Sequence, residues 1–220
     1  MRACDLNVAP TSVNEARRMA KLLKGMGVGC VAVEHGDPSV ARQLVNVFEE
    51  EGVEAYTRVT LEISDWQRGI ELVRRASRLY NIVVVKPKTA EAARLAARDP
   101  RVALLQLTPG MARYMDKSQA QMLREGGAAV EIRLLPLLYG GDPRSALRGL
   151  MIIARRAAAY EAVFVATSGA RSAWELWHPA IVRGLLVSIG LPENIAKLAV
   201  TGYPRSIVRL KALKSLASEG

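Results

Sequence analysis

Histidine, amide side chains, cysteine and long apolar runs are all scarce in this sequence, and each scarcity excludes something. Only His35 and His178 occur among 220 residues. A hydrolytic metal centre built on paired imidazoles needs two of them close together. These two are far apart in the chain, so such a centre would have to rest on carboxylates. Glu34-His35 is the one adjacent pair with ligand chemistry, and a structural or surface histidine is its simpler reading. Ser168 as a nucleophile would need a base, and no histidine lies near it in sequence. No apolar run approaches the roughly 18 residues of a membrane span. The chain opens directly on a strand pattern rather than on a secretory leader. A cytoplasmic protein without a membrane partner is therefore expected.

Asn and Gln are few, and Arg outnumbers Lys 23 to 8. Few thermolabile amides suggest a thermophile, although Arg enrichment is not a general mark of one. The two cysteines, Cys4 and Cys30, fall in the first two strand signals. Small buried residues are their plain reading. A disulfide, tolerated in the cytosol of a hyperthermophile, is the alternative if the geometry permits it.

What the chain has in excess is positive charge: 31 Lys+Arg against 21 Asp+Glu, a formal +10. That favours a polyanionic partner, and its rival is a generally basic protein. The charge is local. Arg74 to Arg101 holds eight basic residues against Glu91 and Asp99, and Asn194 to Ser218 holds five basic residues and no acid. Local excess is the footprint of binding more than a uniform bias would be.

Half the residues are hydrophobic, so burial is not limiting. Seven short apolar signals recur: Ala3–Ala9, Val28–His35, Val53–Ile63, Ile82–Lys86, Val102–Leu107, Ala128–Leu135 and Ala162–Ser168. Between them lie segments with helical spacing, opened by Ser12, Asp37-Pro38, Ser64-Asp65 and Thr89, and by a stretch from Met111 to Arg124 and another from Pro143 to about Tyr160. After the seventh signal only helices are legible, at Pro179–Ile189, Pro192–Val200 and Pro204–Ala217. Repeating strand–helix units predict a parallel α/β sheet. With no eighth strand signal, a TIM-like parallel barrel of seven strands fits best, over one domain spanning 1–220; an open doubly wound sheet is the alternative.

In such folds the carboxyl ends of the strands carry function. Those exits offer Asn7, Glu34, His35, Lys86, Lys88, Gln106, Arg133, Thr167, Ser168 and Arg171, with no nucleophile–base pair among them. Lys86-Pro87-Lys88 holds two cations on a stiffened backbone, suited to phosphate contact or to a solvated turn. Thr167-Ser168-Gly169-Ala170-Arg171 joins small residues to a guanidinium, and exposed amides there would suit a phosphate oxygen. Trp174 and Trp177 are candidates for base stacking, with core packing the commoner use of such spacing. The apolar run Leu134-Leu135-Pro136-Leu137-Leu138-Tyr139 continues past the sixth strand signal, either facing a partner or buried beneath the barrel loops.

The stretch SGARSAWEL, His178-Pro179, Gly202-Tyr203-Pro204 with Ile207, the opening Asp5-Leu6-Asn7-Val8, and Val130-Glu131-Ile132 followed by Leu134-Leu135-Pro136-Leu137-Leu138 together resemble the ribonuclease P protein component 3 family. This is the archaeal counterpart of the thirty-kilodalton eukaryal subunit, and the resemblance spans essentially the whole chain. It implies a barrel shaped like metal phosphoesterases but without their metal ligands, in keeping with Asn7 where those enzymes carry histidine. It implies an RNA-binding, non-catalytic subunit supporting RNA-catalysed removal of the 5′ leader from precursor tRNA. It also implies no cofactor on this chain, with Mg2+ serving the RNA, and a partnership with ribonuclease P protein component 2 that can form a two-plus-two assembly. Within the motif, the basic residue after SGA is Arg171. The residues themselves add Lys86, Lys88, Arg113, Arg133, Arg144 and Arg205 as candidate RNA contacts, and Leu138 and Tyr139 as candidate partner contacts. The rival functions are a metal-dependent phosphoesterase of the same barrel type and an enzyme for a phosphorylated substrate held by Arg171 and Lys86.

Overall fold

The computed structural model describes residues 2–139 and 141–218, with side chains in the last helix to Leu210. Its strands are β1 (Ala3–Val8), β2 (Val28–Glu34), β3 (Glu54–Ile63), β4 (Ile82–Pro87), β5 (Leu104–Gln106), β6 (Ala129–Arg133) and β7 (Phe164–Thr167). They form one parallel sheet in chain order. Parallel neighbours need a crossover, and the helices supply it: α1 (Val13–Gly25), α2 (Pro38–Glu50), α3 (Trp66–Leu79), α4 (Ala90–Arg98), α5 (Lys117–Gly126), the single turn α6 (Pro136–Tyr139) and α7 (Pro143–Ala159). Beyond β7 come α8 (Pro179–Ser188), α9 (Glu193–Val200) and α10 (Gly202–Ser218).

Strand alternation sorts the apolar residues onto two faces. Cys4, Leu6, Cys30, Ala32, Ile82, Val84, Leu104, Ala129 and Val165 form a cluster inside the barrel. The opposite faces pack beneath the helices. Helix α10 sends Ile207 and Val208 into the inner cluster, and Tyr203 meets Phe164 at 6.5 Å between ring centroids. Phe164 and Ile82 both begin their strands, so α10 stoppers the amino end of the barrel. Lys211 and Lys214, part of the C-terminal basic run, lie outside the described side chains.

Among the described residues, the barrel closes between β7 and β1 at the carboxyl end. There Gly169 donates its N–H to the Asn7 carbonyl (3.0 Å), Ala9 donates to that of Ala170 (2.7 Å), and Val8 bridges Ala170 in parallel. No eighth strand occurs among the described residues, as the sequence implied.

Two expectations need correction. Cys4 and Cys30 lie opposite each other on β1 and β2, their Cα atoms 4.6 Å apart, and they form a disulfide rather than two buried thiols. The expected helix from Met111 to Arg124 is broken. Pro109–Tyr114 makes a 3-10 helix, Met115 is fully buried, and Asp116 caps α5 by accepting the Gln119 N–H (2.7 Å). An Asp side chain competing for backbone N–H groups starts a new helix more readily than it continues one.

Candidate functional site

Towards the carboxyl ends of the strands, the inward positions turn polar. Arg58 on β3 is 0% exposed. Its Nη1 and Nη2 donate to the two oxygens of Glu131 on β6 at 2.8 and 2.7 Å, and its Nε donates to Glu34 at 2.6 Å. Nη1 also donates to the Leu6 carbonyl, and Nη2 to the Thr60 hydroxyl. Glu131 accepts three further hydrogen bonds, from Asn7 Nδ2 (2.8 Å), Thr167 Oγ1 (2.7 Å) and Gln106 Nε2 (2.9 Å). Burial opposes ionisation of Glu131, but the Arg58 charge and these hydrogen bonds outweigh it and hold its carboxyl below the usual range. Burial likewise opposes the charge on Arg58, and Glu131 and Glu34 overcome it and raise its pKa.

Among the described residues, the carboxylates of this layer are engaged within it. Both Glu131 oxygens are saturated, Asn7 spends its amide on Glu131, and Glu34 is held by Arg58 and Thr60. The Glu34-His35 pair does not converge, because His35 Nδ1 accepts the Asp37 N–H at the start of α2. Among the described residues, no cluster of three or more His, Cys, Asp or Glu could hold a metal. The cation at the centre of this layer is the chain's own Arg58 guanidinium.

Above this layer the segment leaving β7 is built on the amides that looked free in the sequence. They are not free. Ser168 N–H donates to the Asp5 carboxylate, Gly169 N–H to Asn7, Ala170 N–H to the Ser168 hydroxyl, and Arg171 N–H to Glu175 (2.5 Å). These four amides offer no anion cradle, and the anion-binding capacity of this segment resides in its guanidinium. Gly169 has φ +69°, and a Cβ there would collide with the Arg133 side chain. Glycine thus permits both the backbone turn and the close approach of Arg133.

Arg133 reaches across this glycine, its Nη2 donating to the Gly169 carbonyl (3.3 Å), while its Nε is buried without a partner. Burial lowers its pKa against the opposing charge of Glu131 and, more weakly, of Glu34, and the charges of Arg58 and Arg171 push the same way as burial. Arg171 is exposed and has no ion pair among the described residues. Glu175, a possible bridge to its side chain, instead accepts its backbone N–H. The two arginines lie close enough for their charges to interact, and neither has an ion pair among the described residues.

The remaining candidates divide by end of the barrel. Lys86 and Lys88 leave β4, but both pair with Glu62, Lys88 at 2.7 Å, and their hydrogen bonds pull the Glu62 carboxyl down to about 2. Arg113, after β5, lies 5.0 Å from the centroid of the Tyr114 ring. Arg144 is exposed in the first turn of α7. All of these share the carboxyl end with Arg133 and Arg171. Arg205 does not, since it begins α10 and pairs with Glu54 at the start of β3, on the opposite end. The apolar run after β6 splits: Leu134 and Leu135 are buried, while Leu138 and Tyr139 are exposed on α6. Trp177 packs partly against the core, but Trp174 is 96% exposed, against the core-packing expectation.

Arg58 was absent from the sequence-level site. Its signal was there: in Tyr56-Thr57-Arg58-Val59-Thr60 it shares strand phase with Tyr56, which packs on the inner cluster. A charge in the inward phase of a strand needs a buried partner, and Glu131 occupies the matching phase of β6.

A family model described as RNase P subunit p30 matches residues 2–216. Ribonuclease P protein component 3 of Aeropyrum pernix is 27% identical over 200 residues, covering 90% of this chain and 92% of that one. The Methanosarcina barkeri protein of the same name is 25% identical over 211 residues, covering 92% and 86%. A chain in a cryo-EM structure of archaeal ribonuclease P with mature tRNA superposes with a TM-score of 0.80 at 14% identity, covering 94% of this chain and 90% of that one, a likeness of fold. The family match runs from β1 into α10 and takes in both the sealed polar layer and the basic rim above it; the chain belongs to the RNase P subunit p30 family.

Proposed function

We propose that this chain is a protein subunit of ribonuclease P, binding the ribonuclease P RNA and supporting RNA-catalysed removal of the 5′ leader from precursor tRNA. The observation that carries the reading is the Arg133–Arg171 corner: two cations with no ion pair among the described residues, above the buried Arg58. Such a surface attracts phosphate and has no group to cleave it. Lys86, Lys88, Arg113 and Arg144 extend the footprint around the same end. Arg205 belongs to a second, separate contact or to none.

The chain carries no catalytic residue in this reading and meets precursor tRNA through the RNA. Mg2+ serves the RNA, and no cofactor belongs to the protein. Leu138 and Tyr139 offer an apolar contact for ribonuclease P protein component 2, in a two-plus-two assembly. The chain acts as one domain in the cytoplasm, where its RNA partner works; no helix of the described residues is long and apolar enough to cross a membrane.

Reconstitution tests the proposal. The protein, added with its partner protein to ribonuclease P RNA, is expected to raise precursor tRNA cleavage, and log affinity for the RNA should fall linearly with log salt concentration. Purified, RNA-free protein should cleave nothing. Metal-dependent cleavage by the protein alone, abolished by Glu34→Ala or His35→Ala, would overturn the proposal in favour of a phosphoesterase. Salt-independent affinity for a small phosphorylated compound, with none for RNA, would favour the small-substrate enzyme.

A further inference from the structure

The Trp174 indole is almost wholly in solvent, yet the turn that carries it is tightly held. Ala173 on one side donates its N–H to Glu15 on α1 at 2.6 Å, and Ala173 and Leu176 pack against the core beneath α1 and α2. Glu175 on the other side is buried, its carboxylate closing the loop onto the Arg171 N–H. Glu175 N–H and Leu176 N–H complete a 3-10 turn on the carbonyls of Ser172 and Ala173. Every neighbour is anchored and Trp174 alone points outward. A large aromatic ring left at 96% exposure buries almost nothing in the fold, and its held backbone presents it to whatever binds this face.

The surroundings select the partner. The nearby carboxylates, Glu15 and Glu175, are both engaged with backbone amides of this turn; Glu15 also pairs with Arg18 at 3.8 Å, and Glu175 also accepts the Tyr139 hydroxyl. Arg171, three residues before the indole, has no ion pair among the described residues, and Arg133 beside it keeps a buried Nε unpartnered. A flat ring next to guanidinium groups that have no ion pair among the described residues is complementary to a base attached to its phosphate. A paired base offers no open face, whereas an unpaired one does.

We infer that Trp174 and Arg171 form a site for an unpaired nucleotide, the indole stacking on the base while Arg171, with Arg133 behind it, takes the phosphate. This rests on the RNA-binding reading and narrows it to a single-stranded loop, bulge or end. The rim cations alone would accept any phosphate backbone; the tryptophan adds a preference for unstacked bases.

The test uses the full chain and two probes: a fluorescein-labelled oligoadenylate of about twelve nucleotides and the same strand in a perfect duplex. Trp174→Ala is expected to weaken single-strand binding about tenfold, leaving duplex affinity and the salt slope unchanged. Trp174→Phe, which keeps a ring, should lose less than about threefold. Because the side chain is exposed, both variants should melt like the parent. Equal single-strand affinity of Trp174→Ala and the parent would overturn the site, as would an equal loss on strand and duplex. Intact RNA affinity with lost co-purification of component 2 would also overturn it, and would make Trp174 a protein anchor continuous with Leu138 and Tyr139. If the parent binds neither probe nor ribonuclease P RNA, the RNA-binding reading itself falls; if it binds RNA and only the tryptophan is silent, that reading stands and this site does not.

Discussion

The polar layer inside the barrel and the rim above it hold the same side chains on opposite terms. Arg58 is fully buried, with two carboxylates, a hydroxyl and a carbonyl around it. Arg171 is exposed and has no ion pair among the described residues. Both count equally in the formal +10. The comparison teaches that a charge's role follows from what compensates it. A buried cation without a partner would be prohibitive, so the interior pairing serves the fold. An exposed cation can stand unpaired at little cost, and one kept away from nearby carboxylates remains available to an outside anion.

The most forceful way to break this contrast is to unpair the interior. Glu131→Ala removes the acceptor for Arg58, Asn7, Thr167 and Gln106 together. The expected loss is about 3–5 kcal/mol, because a buried charge loses its counterion. For a chain of this size that corresponds to a fall in melting temperature of roughly 10 °C or more. A melting curve within about 2 °C of the parent would mean that water reaches Arg58 and that the layer is no sealed core.

Asp5 is a third case, a buried carboxylate without an ion pair among the described residues. Glu131 and Asp5 are both buried, but burial pushes the Asp5 carboxyl up to about 6, and hydrogen bonds from Asn7 and Ser168 only partly offset it. The folded pKa lies above the unfolded value near 3.8. Its contribution to stability is therefore fully present below about pH 4 and is lost as pH rises through about 6. The span corresponds to about 3 kcal/mol at most. Asn should replace it well, since Asp5 Oδ1 already accepts both the Asn7 and Ser168 N–H groups. Taken as a difference from the parent across pH, Asp5→Asn should gain stability between pH 4 and pH 7, and other titrating groups cancel. A flat difference would show that Asp5 ionises normally in the seam.

Much of the fold was legible because strand and helix periodicities differ and the chain alternates them cleanly: all seven strand signals correspond to strands, and the helices after Ser172 appear where proline opens them. What failed to show was partnership. The α5 boundary turned on Asp116 finding an N–H to accept, and the disulfide on two strands placing Cys4 opposite Cys30. At the site, sequence reasoning found the cations on the carboxyl-end rim but could not distinguish Lys86, paired with Glu62, from Arg171, which is not. It also credited the SGA segment with free amides, although side chains as distant in sequence as Asp5 occupy them. Strand order places residues; compensation between distant residues appears only in three dimensions.

A smaller effect is expected at the rim. Arg171→Ala should leave the melting temperature unchanged, because Glu175 holds the backbone N–H and not the guanidinium. Affinity for ribonuclease P RNA should fall, and the slope of log affinity against log salt should shrink by about one unit. A lowered melting temperature with an unchanged slope would move Arg171 to the structural side of the comparison.

The smallest effect, and the most discriminating, concerns the intermediate case. Lys86 and Lys88 sit on the rim but share Glu62, so two cations carry a net charge of one. The Glu62 carboxyl, pulled down to about 2 by its hydrogen bonds with Lys86 and Lys88, is ionised at any pH used for binding. Glu62→Gln removes that negative charge and keeps a side chain of the same shape. These groups are substantially exposed, so the change should cost less than about 1 kcal/mol of stability. If the lysines lie in the RNA footprint, freeing them should strengthen binding about twofold to threefold at low salt and steepen the salt slope by up to about one unit. This gain of affinity by substitution cannot come from general damage to the fold. An unchanged slope would place Lys86 and Lys88 outside the footprint, their pairing with Glu62 a feature of the β4 exit, and would confine the RNA contact to the corner where Arg133 and Arg171 stand without an ion pair among the described residues.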